Sequence, residues 1–191
     1  MMTQKHFILA SCSPQRYSLL KQIGYEPEKV EAADIDETPH KFEKPTEYVK
    51  RMAKGKALSV AARYEGKVIL AGDTVVVVGR RILQKASNSQ EQVEIMKLLS
   101  GKSHKVLSGV CVVSETGKVS VRCVSTRILM KKLTIKEIYD YVESNEWVGC
   151  AGYKIEGQLA GFVKKMIGSY SSVVGLPLFE VKNMLNGAGV R

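Results

Sequence analysis

Residues Lys67 to Leu83 read KVILAGDTVVVVGRRIL. The stretch is apolar almost throughout and rich in valine and isoleucine, the composition of a strand inside a sheet. Asp73 stands in its middle. A carboxylate there is expensive to bury unless a cation, a metal or hydrogen bonds hold it. Asp73 is therefore either a structural aspartate bonding to its own turn after Gly72, or a member of a charged site. Gly79-Arg80 breaks the run, so Thr74–Val78 and Arg81–Leu83 are expected to form a hairpin. A tight hairpin carries Lys85 back towards the Asp73 end, as an ordinary strand-end lysine or as a candidate phosphate cation.

Upstream, His6–Ala10 reads as a first strand. Ser11-Cys12-Ser13-Pro14-Gln15-Arg16 leads from it into a helix. Ser13 suits the N-cap and Pro14 the first helical position. Leu19, Leu20 and Ile23 supply the buried stripe, and Gly24 the stop. A strand–turn–helix of this kind aims backbone N–H groups and the positive end of the helix dipole at whatever lies above the strand. Arg16, in the first turn, is a cation at the wrong end of that dipole. This suggests an anion between them, although a surface arginine in a short helix reads the same way.

Glu26–Ala33 is expected to be a second strand. The acidic loop Asp34–Pro39 follows, and its carboxylates, Glu37 among them, suit an oxygen-ligated divalent cation or a solvated turn. Pro45–Tyr64 carries the strongest helical signal. Val49, Met52, Ala53 and Val60 share one face with Lys56, while Lys50 and Lys54 point elsewhere. A lysine in an apolar stripe either snorkels to its edge or meets an anion in a cleft.

Downstream, Ser89-Gln90-Glu91-Gln92 reads as a capping box for a helix to about Leu99 that stops at Gly101. His104–Val113 and Lys118–Met130, joined through Glu115-Thr116-Gly117, read as an antiparallel hairpin. Thr134-Ile135-Lys136-Glu137 is a second capping box, with Leu133 and Ile138 as its hydrophobic staple. Trp147–Pro177 is rich in glycine, which implies tight turns and close backbone approach. Phe162-Val163 and Tyr170–Val174 read there as short strand pieces, with Lys154 and Glu156 as the polar candidates. Leu178–Leu185 is a closing helix ended by Gly187.

The chain of 191 residues is 45% hydrophobic and 25% charged, an ordinary globular composition. No internal repeat or Pro- or Ser-rich linker divides it, so residues 1–191 are read as one mixed α/β unit, with two lobes about a cleft. The net charge of +10 favours an anionic partner. Aromatics are only 7% and no basic run is interleaved with them, which argues against a nucleic-acid platform. The longest apolar runs are short for a membrane span, and the N-terminal stretch lacks the apolar core of a signal peptide. The four cysteines show no CxxC spacing and read as reduced thiols of a cytoplasmic protein. The three histidines are isolated from them and from one another, so a zinc site is not expected.

Several ordered segments resemble the motifs of the Maf family of nucleoside triphosphate pyrophosphatases. They are LASCSPQR (Leu9–Arg16), Lys56-Ala57, AGDTVV (Ala71–Val76), LLSGKSH (Leu98–His104), AGY (Ala151–Tyr153) and the segment from Gly168-Ser169-Tyr170 to VGLPL (Val174–Leu178). The resemblance spans nearly the whole chain. It implies a mixed α/β fold with a central elongated sheet flanked by helices and a deep cleft, related to that of inosine triphosphatases. The implied reaction is hydrolysis of a nucleoside triphosphate to the monophosphate and pyrophosphate, with Mg2+ or Mn2+. Asp73 takes the place of the family's catalytic base, and Glu37 with Asp73 that of the metal carboxylates. Arg16, Lys56 and Lys85 take the places of the triphosphate-binding cations, with Ser11 and Ser13 as further donors. A homodimer is compatible with the resemblance.

The chain also departs from the pattern. Gln15 stands where the family has a first arginine, and Ala86 where it has a proline after the lysine. The three positions that discriminate substrates match Gln15, Thr74 and Glu156. Thr74 and Tyr153 point to the branch acting on dTTP and UTP, whereas Glu156 points to the branch acting on 7-methyl-GTP. The reading adopted is a dTTP/UTP-type housecleaning enzyme. A 7-methyl-GTP-type enzyme and a non-catalytic, nucleotide-binding regulator of cell division are the alternatives.

Overall fold

A computed structural model of the chain describes residues 6–190. Residues 1–5 and 191 lie outside it, as does part of the N-terminal stretch on which the signal-peptide reading rests. In chain order the strands are β1 (Phe7–Leu9), β2 (Lys29–Val30), β3 (Val68–Val78), β4 (Arg81–Leu83), β5 (Ser103–Val113), β6 (Val119–Met130) and β7 (Val163–Ile167). The helices are α1 (Pro14–Gln22), α2 (Pro45–Ala61), α3 (Ser89–Leu99), α4 (Ile135–Glu143), α5 (Tyr170–Val174) and α6 (Leu178–Gly187). The seven strands form one mixed sheet of order β2-β1-β3-β5-β6-β7, with β4 paired to β3. β1 runs parallel to both of its neighbours, and the other pairings are antiparallel.

The apolar run around Asp73 is the hub of this sheet. β1 pairs with β3 at Val68–Leu70, and β4 pairs with β3 at Val76–Val78. Between these two pairings, residues 71–75 of β3 have no strand on that side among the described residues. The sheet therefore has a gap at the carboxyl end of β1. Side chains alternate along a strand, so Asp73 projects to one face and Thr74 to the other. Both reach the gap.

α2 covers one face. Its Val49 and Met52 pack on Val75, Val77 and Leu107, and its Ala53, Ala57 and Val60 pack on Ile8, Ile69 and Ala71. Gly109, opposite Asp73 in the ladder, makes this approach possible, because a Cβ there would lie 2.3 Å from the Val49 carbonyl oxygen. The other face is covered in two separate parts. α1 and α6 close over Leu9, Leu70, Val110 and Val112 at one end. α3, α4, Trp147 and Tyr153 close over Val76, Val106 and Ile128 at the other. Two lobes result, and α5 with the turn that follows it lies where they meet, with Val173 in the second cluster and Leu176 in the first.

Local signals explain most elements. The Thr134 capping box is complete, with Glu137 bonding back, and both Leu133 and Ile138 are buried. The α3 box is displaced by one residue: Asn88, not Ser89, is the N-cap, and its Oδ1 accepts from the Glu91 N–H at 2.9 Å. α2 ends at Ala61 rather than Tyr64, in a tightened last turn whose Arg63 and Tyr64 N–H groups reach back three residues. The second strand is only Lys29–Val30, an exposed edge pair, because the flanking charged residues and Pro27 have no core to face. Tyr170–Val174 is a helix rather than a strand. Ser169 caps it by accepting from the Ser172 N–H, and this cap with Gly175 at the other end overrides the β-propensity of its valines. The closing helix runs through Gly187, and the chain reverses at Gly189 (φ +87°). Among the described residues no helix is long and apolar enough to cross a membrane.

Candidate active site

The gap in the sheet opens into a cavity of about 420 Å3 lined by Ser13, Gln15, Arg16, Glu37, Lys56, Asp73, Thr74, Lys85 and Glu156. An adjoining cavity adds Ser11 to the same constellation. Every candidate site residue from the sequence reading thus faces one cleft, although they come from six separate segments.

Asp73 is buried in β3, and its Oδ1 accepts from Lys56 Nζ at 2.7 Å. The same ammonium lies 2.8 Å from Glu37 Oε1. The Lys56 side chain is only 12% exposed, so the lysine does not snorkel but bridges two carboxylates across the cleft. α2 also fixes the loop that carries Glu37. The Tyr48 hydroxyl donates to the Glu37 carbonyl oxygen at 2.9 Å. Arg51 donates to both Glu43 oxygens at 2.7 Å and to the Thr38 carbonyl oxygen at 3.0 Å. These guanidinium bonds hold the Glu43 carboxyl down at about 2.

The α1 end of the cleft gathers hydrogen-bond donors and one guanidinium. Ser13 occupies the N-cap position but makes no side-chain cap bond, and Pro14 has no N–H to satisfy. The Ser13 hydroxyl donates instead to Gln15 Oε1 at 3.1 Å. Arg16 is half-buried and braced: Nε donates to the Gly175 carbonyl oxygen at 3.0 Å and Nη1 to Ser11 Oγ at 2.9 Å. Gly72 and Gly175 leave room for it, since a Cβ would come within 3.4 and 3.3 Å of its side chain. Desolvation lowers the Arg16 pKa, and the charges of Asp73 and Glu37 oppose the shift. An arginine stays charged throughout.

The opposite end is apolar and aromatic, with Val76, Leu83, Val106, Tyr153, Ile155 and Val173, and has Glu156 and Lys154 at its rim. Lys85 sits where β4 leaves the sheet and bridges to Ala151. Thr74 faces the floor. Its hydroxyl lies 2.9 Å from Ser108 Oγ and 3.3 Å from the Gly175 carbonyl oxygen, and Ser108 in turn donates to the Ser172 carbonyl oxygen.

The sequence reading did not single out Tyr48, Ser108 or the Gly175 carbonyl. A hydroxyl in a buried stripe needs a partner, and Tyr48 next to Val49 carried that signal. Ser108 within the apolar β5 run carried it too. The carbonyl of Gly175 has no side-chain signature.

Two carboxylates that already gather one cation suit a divalent metal. Among the described residues no cluster of three or more His, Cys, Asp or Glu could hold a metal by itself. The donor set therefore fits an ion such as Mg2+, which binds through one or two carboxylates and completes its shell with substrate phosphate and water.

A family model described as Maf-like protein matches residues 6–188. The chain belongs to this family. Two relatives, both named dTTP/UTP pyrophosphatase, match nearly the whole chain. One, from Caulobacter vibrioides, is 48% identical over 185 residues, 96% of each chain. The other, from Sphingopyxis alaskensis, is 50% identical over 184 residues, again 96% of each chain. Among solved structures, a HAM1 protein from Coxiella burnetii matches with a TM-score of 0.52, covering 96% of this chain and 99% of that one at 15% identity. That likeness concerns the fold, a mixed sheet flanked by helices.

Proposed function

We propose that the protein hydrolyses a nucleoside triphosphate, of the dTTP or UTP type, to the monophosphate and pyrophosphate, and so clears surplus or modified nucleotides from the cytoplasmic pool. The observation that carries this reading is the Lys56 bridge between buried Asp73 and Glu37, set beside Arg16 and the open N-terminus of α1. The names of the relatives support the reaction and the pyrimidine preference.

In this reading the triphosphate lies towards α1. Arg16, Lys56 and Lys85 neutralise it, and Ser11, Ser13 and the first-turn N–H groups donate to its oxygens. Asp73 orients the attacking water and accepts its proton. Glu37 and Asp73 would hold Mg2+ or Mn2+, which supplies charge neutralisation and a more acidic water. Charge develops on the departing pyrophosphate, where the fixed cations are most effective. The base then faces the apolar wall beside Glu156, and Thr74 on the floor and Gln15 at the α1 end complete the set that selects it. One feature favours a second preference. A glutamate is an acceptor only, and it suits a base edge that presents adjacent N–H donors, as in 7-methyl-GTP.

The test is incubation with Mg2+ or Mn2+ and a panel of dTTP, UTP, CTP, 7-methyl-GTP and ITP, measuring pyrophosphate against orthophosphate. The expected result is pyrophosphate, with dTTP and UTP preferred, and its loss in Asp73→Asn. Release that survives this substitution would remove Asp73 from the role of base. Binding without turnover would favour a nucleotide-binding regulator.

A further inference from the structure

The wall formed by residues 150–156 is irregular backbone, yet it carries Tyr153, Lys154 and Glu156 into the cleft. Such a segment needs something to hold it, and three buried side chains from three different elements do so at consecutive residues. Gln92 of α3, fully buried, donates through Nε2 to the Gly152 carbonyl oxygen at 2.7 Å. His104 of β5, 3% exposed, holds the Tyr153 hydroxyl at 2.6 Å through Nε2. Tyr141 of α4, fully buried, accepts from the Lys154 N–H at 3.2 Å. The backbone is drawn in closely here: Gly152 has φ +82°, and a Cβ on it would lie 3.2 Å from Val76.

Gln92 Oε1 and His104 Nδ1 are buried with no hydrogen-bond partner among the described residues. An apolar residue at either position would avoid that penalty only by orphaning the Gly152 carbonyl or the Tyr153 hydroxyl. The two polar side chains are in the core to hold residues 152 and 153. Burial also lowers the His104 pKa to about 4, so the imidazole is neutral near pH 7 and its bond to Tyr153 is a fixed strut rather than a proton relay.

We propose that Gln92, His104 and Tyr141 are positioning residues for nucleobase selection, clamping Gly152–Lys154 so that the Tyr153 ring and Glu156 meet the base in one fixed arrangement. None of the three lines the cavity itself. This rests on the nucleotide-hydrolysing reading above, and the test separates the two.

Tyr141→Phe keeps the buried ring and removes only the acceptor. Gln92→Met keeps the length and removes the donor. Tyr139→Phe, on the exposed side of the same helix α4, is the control. Amide hydrogen exchange across residues 150–157 is measured with and without dTTP, alongside kcat and KM for dTTP, CTP and 7-methyl-GTP. In both variants exchange in the segment should rise at least about 10-fold while β3 amides stay protected. KM for the preferred nucleotide should rise roughly 5-fold with kcat within about 2-fold, and the kcat/KM ratios between bases should converge. Faster exchange with unchanged base ratios would overturn the proposal. So would loss of protection throughout β3 with kcat falling alongside, which is the signature of a merely structural role. If the wild type releases no pyrophosphate from any nucleotide, the hydrolytic reading fails. The clamp is then judged by dTTP-induced protection of residues 150–157: protection lost in the variants supports it, and no protection in the wild type overturns it.

Discussion

Gly109→Ala should damage both stability and catalysis through a single contact. The added Cβ would lie 2.3 Å from the Val49 carbonyl oxygen and 2.8 Å from its carbon, whereas real Cβ contacts do not fall below 3.0 Å. The obstacle is helix backbone, which cannot rotate aside. α2 must therefore retreat by at least about 0.7 Å, which carries Lys56, Tyr48 and Arg51 with it. Overpacking of this kind costs roughly 1–3 kcal/mol, and a rigid neighbour points to the upper half of that range. Lys56 Nζ now lies 2.7 Å from Asp73 Oδ1, and the loop bearing Glu37 hangs on Tyr48 and Arg51, so all three groups move relative to the sheet. A misplacement of about 1 Å costs on the order of 100-fold in rate, so pyrophosphate release should fall roughly 10- to 100-fold. Urea denaturation gives the first number, and pyrophosphate release at saturating nucleotide gives the second. Gly117→Ala is the comparison, because Gly117 has φ +78° but nothing within 4 Å of its Cβ position, so it should lose only about 1 kcal/mol and no activity. Wild-type stability in Gly109→Ala would refute the contact argument. Lost stability with full activity in the folded fraction would refute the claim that the seating of α2 sets the site.

Three further outcomes follow from other residues. Phe42 is 92% exposed at φ +63°, in a turn closed by the Glu43 N–H to the His40 carbonyl, so Phe42→Gly should raise the urea midpoint by the equivalent of roughly 0.5–1 kcal/mol. No gain would mean that the stacking of Lys41 Nζ on the Phe42 ring, 5.3 Å from its centroid, offsets the backbone strain. Buried His104 has a folded pKa of about 4 against 6.5 when free, so the unfolded chain binds the proton first and stability falls as the pH drops from 6.5 to about 4. The slope approaches at most about 1.4 kcal/mol per pH unit, and His104→Gln should flatten it in that window; an unchanged pH profile would count against neutral burial. Lys56→Met leaves Asp73 and Glu37 facing each other without their shared cation, so Mn2+ should raise its Tm by more than it raises that of the wild type. Equal shifts would argue that the two carboxylates do not gather a metal.

Sequence and structure agree most closely where a local rule operates. The Thr134 box, the Gly79-Arg80 hairpin, the Ser13-Pro14 helix start and the placing of Lys56 on the buried face of α2 each follow from a few neighbouring residues. They differ where two local tendencies compete. Tyr170–Val174 has strand-forming valines, but Ser169 and Gly175 terminate it as a helix turn, and Glu26–Ala33 has strand spacing but only an edge to pair with. The Asn88 cap shows the same competition one residue out of register.

Read in one dimension, the chain already shows a carboxylate inside an apolar strand, a lysine interrupting an apolar helix face, and an arginine in the first turn of a helix, at the wrong end of its dipole. Periodicity and residue chemistry are local, so these oddities are visible in one dimension. Tertiary structure alone decided that they are one site. β1 stops at Leu9, opposite Leu70, and β4 ends at Leu83, opposite Val76, which leaves β3 unpaired on that side at Ala71–Val75, and Gly109 lets α2 come close enough for Lys56 to reach through to Asp73 and Glu37. Strand ends and helix approach depend on residues far apart in the chain, and no local pattern encodes the distance between them.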